Sequence, residues 1–296
     1  LCIPLVYGFT RRLVGNSTRG TAAGLVAALC MALSHVQVFH GQEARMYAFF
    51  MLFALASAYA FLRMLEGGGR WWWALNVLAN AMLIWAHFFG ALLVATQAVV
   101  LLVCYGRQWR PWFGWGLAHA APALPMAAWV LTIPRQPGEL HGYYAPPSTS
   151  QLFWDLFGDD LALRGSMGFA HRLQLTPDTP AWVRWHPAVD ALFTALFVLA
   201  GCYAAVRAIR AWRRTEPARH AWLFTVLWLV LPLAVLALVS HTLAPVYSSR
   251  YTVHASVPLY VGLGGLVALL PGRAGLRGVA VSLLAACYAY QLILGW

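Results

Sequence analysis

A succession of apolar runs constrains this chain more than any other feature. They lie near 20–39, 46–62, 71–86, 89–105, 113–133, 188–206, 221–240, 251–270 and 278–295, with residues 1–10 reading as the tail of one more. Each is about long enough to cross the roughly 30 Å hydrocarbon core of a bilayer. In lipid every backbone N–H and C=O must be satisfied inside the protein, and a continuous apolar run achieves that as a helix. The expected fold is therefore an all-α polytopic membrane protein, with residues 1–296 forming a single transmembrane domain of about nine full spans plus a partial first one. Composition agrees: the chain is 61% hydrophobic and 10% charged, where a soluble domain carries roughly 25% charged residues. No charged segment precedes the opening apolar residues, which begin at Leu1, so they do not read as a signal peptide. The chain is expected to be a piece of a longer protein.

Orientation follows from the arginines, which supply all 20 basic residues. Fourteen fall in alternate loops: Arg11, Arg12 and Arg19; Arg63 and Arg70; Arg107 and Arg110; Arg207, Arg210, Arg213, Arg214 and Arg219; Arg273 and Arg277. The positive-inside rule makes that side cytoplasmic, so the net charge of +11 requires no nucleic acid to explain it. Seven of the nine acids, Glu43, Glu139, Asp155, Asp159, Asp160, Asp178 and Asp190, then lie outside. Chemistry is expected on that outer face.

Several short patterns have plain readings. The five cysteines, Cys2, Cys30, Cys104, Cys202 and Cys287, sit in apolar runs without metal-type spacing and read as small core or lipid-facing residues. Asn16-Ser17-Thr18 matches a glycosylation pattern by chance, on the cytoplasmic side. Gly67-Gly68-Gly69 reads as a flexible turn, and Gly262-Leu263-Gly264-Gly265 as a close helix contact rather than a phosphate loop, since no strand precedes it.

One long connection stands out. Pro134 to about Pro187 is an external stretch rich in proline, glycine and aromatic residues, and loops of that length in compact folds are usually functional or disordered. Gly142-Tyr143-Tyr144-Ala145-Pro146-Pro147 and Trp154-Asp155-Leu156-Phe157 suit either a cap over the outer face or an interfacial anchor, because tyrosine and tryptophan favour the membrane interface.

The polar residues gather at three outer turns. His35, His40, Gln42, Glu43, Arg45 and Tyr47 follow the run 20–39; His87 sits in Trp85-Ala86-His87-Phe88-Phe89-Gly90; and Tyr247, Arg250 and Tyr251 precede the run 251–270. Turns of this kind could line one cavity handling a phosphate-bearing lipid, for which arginine's planar fork is suited. The plainer alternatives stay open: a local Glu43–Arg45 ion pair finishing a turn, a histidine among headgroups, and Arg250 as a snorkelling anchor. Coupled transporters usually place ionisable groups near the midplane; here only Asp190, at a helix start, and a few histidines fall within the runs.

The run from Ser34 through Gln42-Glu43-Ala44-Arg45-Met46-Tyr47 to Ala48 resembles the "QEARMY" stretch of bacterial membrane glycosyltransferases related to family 39, which include protein O-mannosyltransferases and the lipid A aminoarabinose transferase. The aromatic–histidine turn around His87, the proline-rich loop and Pro245-Val246-Tyr247-Ser248-Ser249-Arg250-Tyr251 extend the likeness along most of the chain. The resemblance implies a GT-C-type transmembrane helix bundle with its active site on the extracytoplasmic face and a polyprenyl-phosphate sugar as donor. It implies direct displacement at the anomeric carbon, with an acid orienting or deprotonating the acceptor hydroxyl, a step worth roughly 10²–10⁴-fold. Glu43 is then the catalytic candidate, second to an acid expected in a loop upstream of Leu1. Gln42, Arg45, Tyr47, His87, Tyr247, Arg250 and Tyr251 are the substrate-binding candidates, with Arg250, alongside His87, on the donor phosphate and Arg45 holding Glu43 ionised. No cofactor is expected, with a divalent ion at Glu43 and the upstream acid as the alternative. The acceptor (protein, lipid or glycan) is open, as is the sugar.

The all-arginine basic set and high alanine content point to a GC-rich bacterial genome, hence a multi-pass inner-membrane protein. A lipid-linked sugar flippase or transporter, or a non-catalytic membrane scaffold, remain the competing readings.

Overall fold

A computed structural model describes residues 1–43, 45–106, 109–132, 146–157, 186–243, 246–271 and 274–295. These form twelve α-helices, α1 (Cys2–Val14), α2 (Thr18–Leu33), α3 (His35–Gln42), α4 (Tyr47–Leu65), α5 (Arg70–Ala86), α6 (Ala91–Tyr105), α7 (Trp109–Thr132), α8 (Thr149–Phe157), α9 (His186–Arg213), α10 (Arg219–Thr242), α11 (Val257–Leu269) and α12 (Ala274–Gly295), with 3₁₀ segments at Phe88–Gly90 and Ser249–Ser256. The described residues contain no strand, so the chain is an all-helical protein. Among the described residues six helical segments are long and apolar enough to cross a membrane, and α2 with α3 makes a seventh if that bent pair is one span, against the nine full spans expected from the sequence. The seventeen-residue α5 is shorter than these, reaching about 25 Å at 1.5 Å per residue.

Two departures from the sequence reading bear on the site. The run 20–39 is broken at Ser34, where the chain bends by 53°. Ser34 takes an extended ψ of 122° while its N–H closes α2 on the Cys30 carbonyl, and its hydroxyl accepts a hydrogen bond from the Tyr260 hydroxyl at 2.8 Å. The run 251–270 begins not as α-helix but as the 3₁₀ segment, which is interrupted at Thr252 (φ −117°, ψ 17°).

The helices group into two compact units, 1–43 with 148–206 and 255–296, and 44–147 with 207–254, where the sequence reading treats 1–296 as one domain. In the first, α11 is buried from Val257 through Gly265, as expected of a helix apolar on all sides. The glycine-rich stretch is what lets its neighbours approach. A Cβ on Gly262 would fall 2.5 Å from the Ala200 carbonyl oxygen, and one on Gly264 or Gly265 would collide with the Ala23 carbonyl or the Tyr203 ring. The close-contact reading of Gly262–Gly265 therefore holds. Ser17 caps α2 by accepting from the Gly20 N–H at 3.3 Å, which gives the apparent glycosylation pattern a structural role.

In the second unit α4 and α5 pack as a hairpin. Gly67, with φ +81°, supplies the left-handed step that ends α4, and the Gly68 N–H returns to the Arg63 carbonyl at 2.8 Å. α10 packs on α4 and α6, on α4 through the edge-on pair Phe61–Phe224, 5.0 Å between centroids, while Phe224 stacks on Trp228 of its own helix at 5.5 Å. Trp228 Nε1 in turn donates to His254 Nδ1 at 2.9 Å, tying α10 to the 3₁₀ segment that carries Arg250 and Tyr251.

Candidate functional site

Glu43 terminates α3, its N–H bonded to the Phe39 carbonyl at 3.1 Å. Its carboxylate accepts from His40 Nδ1 at 3.0 Å, with His40 5% and Glu43 19% exposed. The bond follows from helical geometry, since residues three apart share a face. A largely buried imidazole thus holds the carboxylate's direction, a task distinct from the one the sequence reading gave to Arg45, that of keeping Glu43 ionised. Gln42, on the same terminal turn, is exposed. The bend at Ser34 aims this turn. Gln37 on α3 donates to Ser256 Oγ at 3.0 Å, so α3 is tied to the chain leading into α11 on one side and, through Ser34 and Tyr260, on the other.

The second unit gathers Tyr47, His87 and Tyr251 into one aromatic cluster. The His87 ring lies 5.7 Å from Tyr47, 5.2 Å from Phe50, 5.6 Å from Phe89 and 5.2 Å from Tyr251, and Phe89 stacks on Tyr251 at 4.5 Å. His87 Nδ1 accepts from the Phe89 N–H at 3.3 Å, so the neutral ring carries its proton on Nε2. Desolvation pushes the His87 pKa down to about 4, which keeps the ring neutral at physiological pH. Tyr47 is buried against it; it serves as packing as much as a contact for any ligand.

His254 lies against the same Phe50 ring, at 5.3 Å, and sequence reasoning passed it over. It is fully buried, and its Nδ1 accepts from Trp228 Nε1 at 2.9 Å, again leaving the proton on Nε2. That Nε2 has no hydrogen-bond partner among the described residues. The only sequence signal was its place four residues after Arg250, one helical turn on.

Arg250 is half-buried and its Nε donates to Ser248 Oγ at 3.2 Å, which orients the guanidinium at the start of the 3₁₀ segment. Tyr247 is buried, next to Val246, whose N–H donates to Ser240 Oγ at 3.2 Å. Arg45 is exposed. Ala44 and most of the 134–187 stretch, including Tyr143, Tyr144 and the acids Glu139, Asp159, Asp160 and Asp178, lie outside the described residues. Within that loop α8 exposes Phe153 and Trp154 and buries Asp155, the one-sided pattern of a helix at an interface.

A third polar group lies deep among the spans of the second unit. Ser57 of α4, Asn76 and Asn80 of α5, Gln97 of α6, and Trp115 and His119 of α7 bond one another while almost wholly shielded. Asn80 Nδ2 donates to Gln97 Oε1 at 2.9 Å and to His119 Nε2 at 2.8 Å, and its carbonyl accepts from the Ser57 hydroxyl. Asn76 donates to Gln97 Oε1 at 3.1 Å and accepts from Trp115 Nε1 at 2.9 Å. His119 donates Nδ1–H to the Trp115 carbonyl at 2.7 Å, which fixes Nε2 as the acceptor. The recurring i, i+4 spacing of Asn76 with Asn80 and of Trp115 with His119, inside apolar runs, is the signal that reveals it.

Among the described residues no three His, Cys, Asp or Glu side chains gather into a metal-type group. No protein-family model, curated protein or solved structure matches this chain.

Proposed function

We propose that this chain is part of a glycosyltransferase that moves a sugar from a polyprenyl-phosphate donor to an acceptor on the extracytoplasmic face of a bacterial inner membrane. The observation that carries the reading is the 3.0 Å pair between His40 and Glu43, whose carboxylate belongs to the Gln42–Tyr47 stretch. A carboxylate directed by a buried histidine at the end of a bent span is costly to place there unless it acts. Glu43 orients the acceptor hydroxyl and accepts its proton as the anomeric bond to the lipid phosphate breaks. Arg250 takes the developing charge on that phosphate, for which one aimed donor is worth about 2.7–4 kcal/mol. His87, neutral and with its proton on Nε2, donates to an uncharged oxygen of the donor sugar rather than acting as a cation. Gln42, Arg45, Tyr247 and Tyr251 contact donor or acceptor.

A specific observation also favours the lipid-linked sugar carrier: the deep polar group of Ser57, Asn76, Asn80, Gln97 and His119 is of the kind carriers place among their spans. Its members, however, satisfy one another, as helix-fastening networks do, and the transferase reading is preferred. Transfer of radiolabelled sugar from a polyprenyl-phosphate donor, measured with the natural full-length protein in liposomes, decides between them. Glu43→Gln should abolish transfer while leaving donor binding intact. Full transfer by that variant would end the role given to Glu43, and donor-dependent translocation without transfer would favour the carrier.

A further inference from the structure

The turn between α9 and α10 carries a strong and lopsided charge. From Arg207 to His220 it holds five arginines and one acid, Glu216. That acid is already engaged: Arg207 Nη2 meets its carboxylate at 3.0 Å, while the Arg207 guanidinium also lies 5.5 Å from the centre of the Trp222 ring. Arg219 is turned inward, its guanidinium 5.7 Å from the Trp212 ring centre and its Nε donating to His220 Nε2 at 3.1 Å. Arg210, Arg213 and Arg214 remain, all exposed. Their spacing of three and four residues sets them along one face of the last turns of α9, so three fixed positive charges stand together with the turn's acid committed elsewhere.

Their depth is set by the span they end. The candidate span Ala188–Arg213 finishes within this group, and Trp212, 45% exposed, sits beside it where an indole prefers the headgroup layer. Guanidiniums at that level meet phosphodiesters, and the planar fork pairs two of its N–H groups with two phosphate oxygens. A basic cluster immediately outside a span is the arrangement that attracts anionic lipid.

We propose that Arg210, Arg213 and Arg214 form a headgroup site for anionic phospholipid in the leaflet where α9 ends, with Trp212 as its interfacial floor. The site is independent of sugar transfer and of which side of the membrane that leaflet faces. It acts as an electrostatic anchor that gathers anionic lipid around the α9–α10 turn. Soluble acidic partners are disfavoured because the charges stand at the end of a span rather than on a projecting domain.

The test uses the whole chain purified in a neutral detergent and incubated with equal amounts of phosphatidylglycerol and phosphatidylcholine, with retained lipid counted by native mass spectrometry. The wild type should retain phosphatidylglycerol in clear preference. The triple variant R210Q/R213Q/R214Q should lower its affinity for phosphatidylglycerol roughly a hundredfold at low salt, on the usual contribution of a basic residue near an anionic surface, whereas R11Q/R12Q/R19Q should keep the wild-type preference. The unmodified protein supplies a second readout that needs no variant: its preference should weaken strongly as salt is raised toward 1 M, where screening acts over about 3 Å. Ten-millimolar inorganic phosphate should not displace the lipid. Equal retention of the two lipids by the wild type, or unchanged phosphatidylglycerol retention by R210Q/R213Q/R214Q, overturns the proposal. So does loss of the preference in R11Q/R12Q/R19Q alone.

Discussion

Replacing Asn80 by alanine tests whether the deep polar group fastens the helices of the second unit. The side chain makes four hydrogen bonds: the Ser57 hydroxyl donates to its carbonyl, and its amide donates to Gln97 at 2.9 Å, His119 at 2.8 Å and Asn76 Oδ1 at 3.3 Å. Their loss is unequal. Gln97 Oε1 keeps the Asn76 amide at 3.1 Å, and Asn76 keeps Trp115 at 2.9 Å. The Ser57 hydroxyl hydrogen and His119 Nε2 lose these partners while buried. Orphaned buried groups cost about 1–3 kcal/mol each, while interhelical bonds in membrane proteins average about 0.6 kcal/mol. Two orphans near the lower bound therefore give a loss of about 2 kcal/mol, roughly a thirtyfold fall in the folding constant. Thr225→Val is the matched control, because that equally buried hydroxyl bonds only the Ala221 carbonyl of its own helix, at 2.9 Å; it should cost less than about 0.5 kcal/mol. Both are measured by SDS-induced unfolding in mixed micelles, followed by circular dichroism. If Asn80→Ala costs no more than Thr225→Val, the network is not a fastening. A double-mutant cycle of Asn80→Ala with His119→Phe should show coupling of about 1 kcal/mol.

Gly264→Leu should prevent α11 from seating on α2, because even a Cβ there collides with the Ala23 carbonyl; overpacking of this kind costs about 1–3 kcal/mol or more, read as a lower thermal midpoint, whereas Gly275→Ala, with open space around it, should be silent. His87 gives a pH dependence with a definite sign: its folded pKa of about 4 lies below the unfolded value of 6.5, so the unfolded chain binds the proton first. Its contribution leaves stability untouched above about pH 6.5 and erodes it as pH falls toward 4, and His87→Asn should flatten that part of the midpoint-against-pH curve; an unchanged curve counts against it. Trp228→Phe removes the donor to His254 Nδ1 and should cost about 1–2 kcal/mol, with midpoints matching wild type as the contrary result. Arg250→Ala in the natural full-length protein should slow transfer roughly 10²–10³-fold, and a variant that used the donor normally would remove Arg250 from the phosphate.

What the sequence made legible was set by hydropathy. Helices occupy every one of the expected runs, because in a bilayer an apolar run of that length has one backbone solution. The break at Ser34 was hidden for the same reason: a serine inside an apolar run does not by itself bend a helix, and its extended ψ depends on a hydroxyl from Tyr260, 226 residues on. The start of α11 escaped equally, since Arg250–Ser256 reads as a continuation of an apolar span and only the tertiary setting winds it as 3₁₀. Glu43 stood out because a charge between two spans is conspicuous. His40 was placed at the same turn but not as its partner, though it lies three residues earlier and on the same face.

The residues that sequence reasoning missed share one property: they are neutral. Asn76, Asn80 and Gln97 have no ionisable group to flag them in an apolar background, and His254, though ionisable, is neutral at pH 7 and one of ten histidines. Yet a neutral amide in lipid must still find partners, so its presence in a span forecasts a neighbour of matching polarity on another helix. Asn76 and Asn80 forecast Gln97 and His119 in this sense. Applied to His254 the same rule has a sharper consequence. Trp228 satisfies one ring nitrogen and fixes the proton on the other, which has no partner among the described residues. Nε2–H, beside the Phe50 ring that His87 also touches, is left to donate to an oxygen. His254→Phe should therefore behave in one of two ways that differ in sign. If the oxygen is a buried water, removing the donor with the water is close to neutral for stability and leaves donor-sugar affinity unchanged. If it belongs to the lipid-linked sugar, the variant folds as well as wild type yet binds the donor roughly tenfold or more weakly, the penalty of one lost hydrogen bond in a dry site. Measured donor affinity of His254→Phe, set beside its thermal midpoint, separates the two, and a variant that lost stability without losing affinity would refute both.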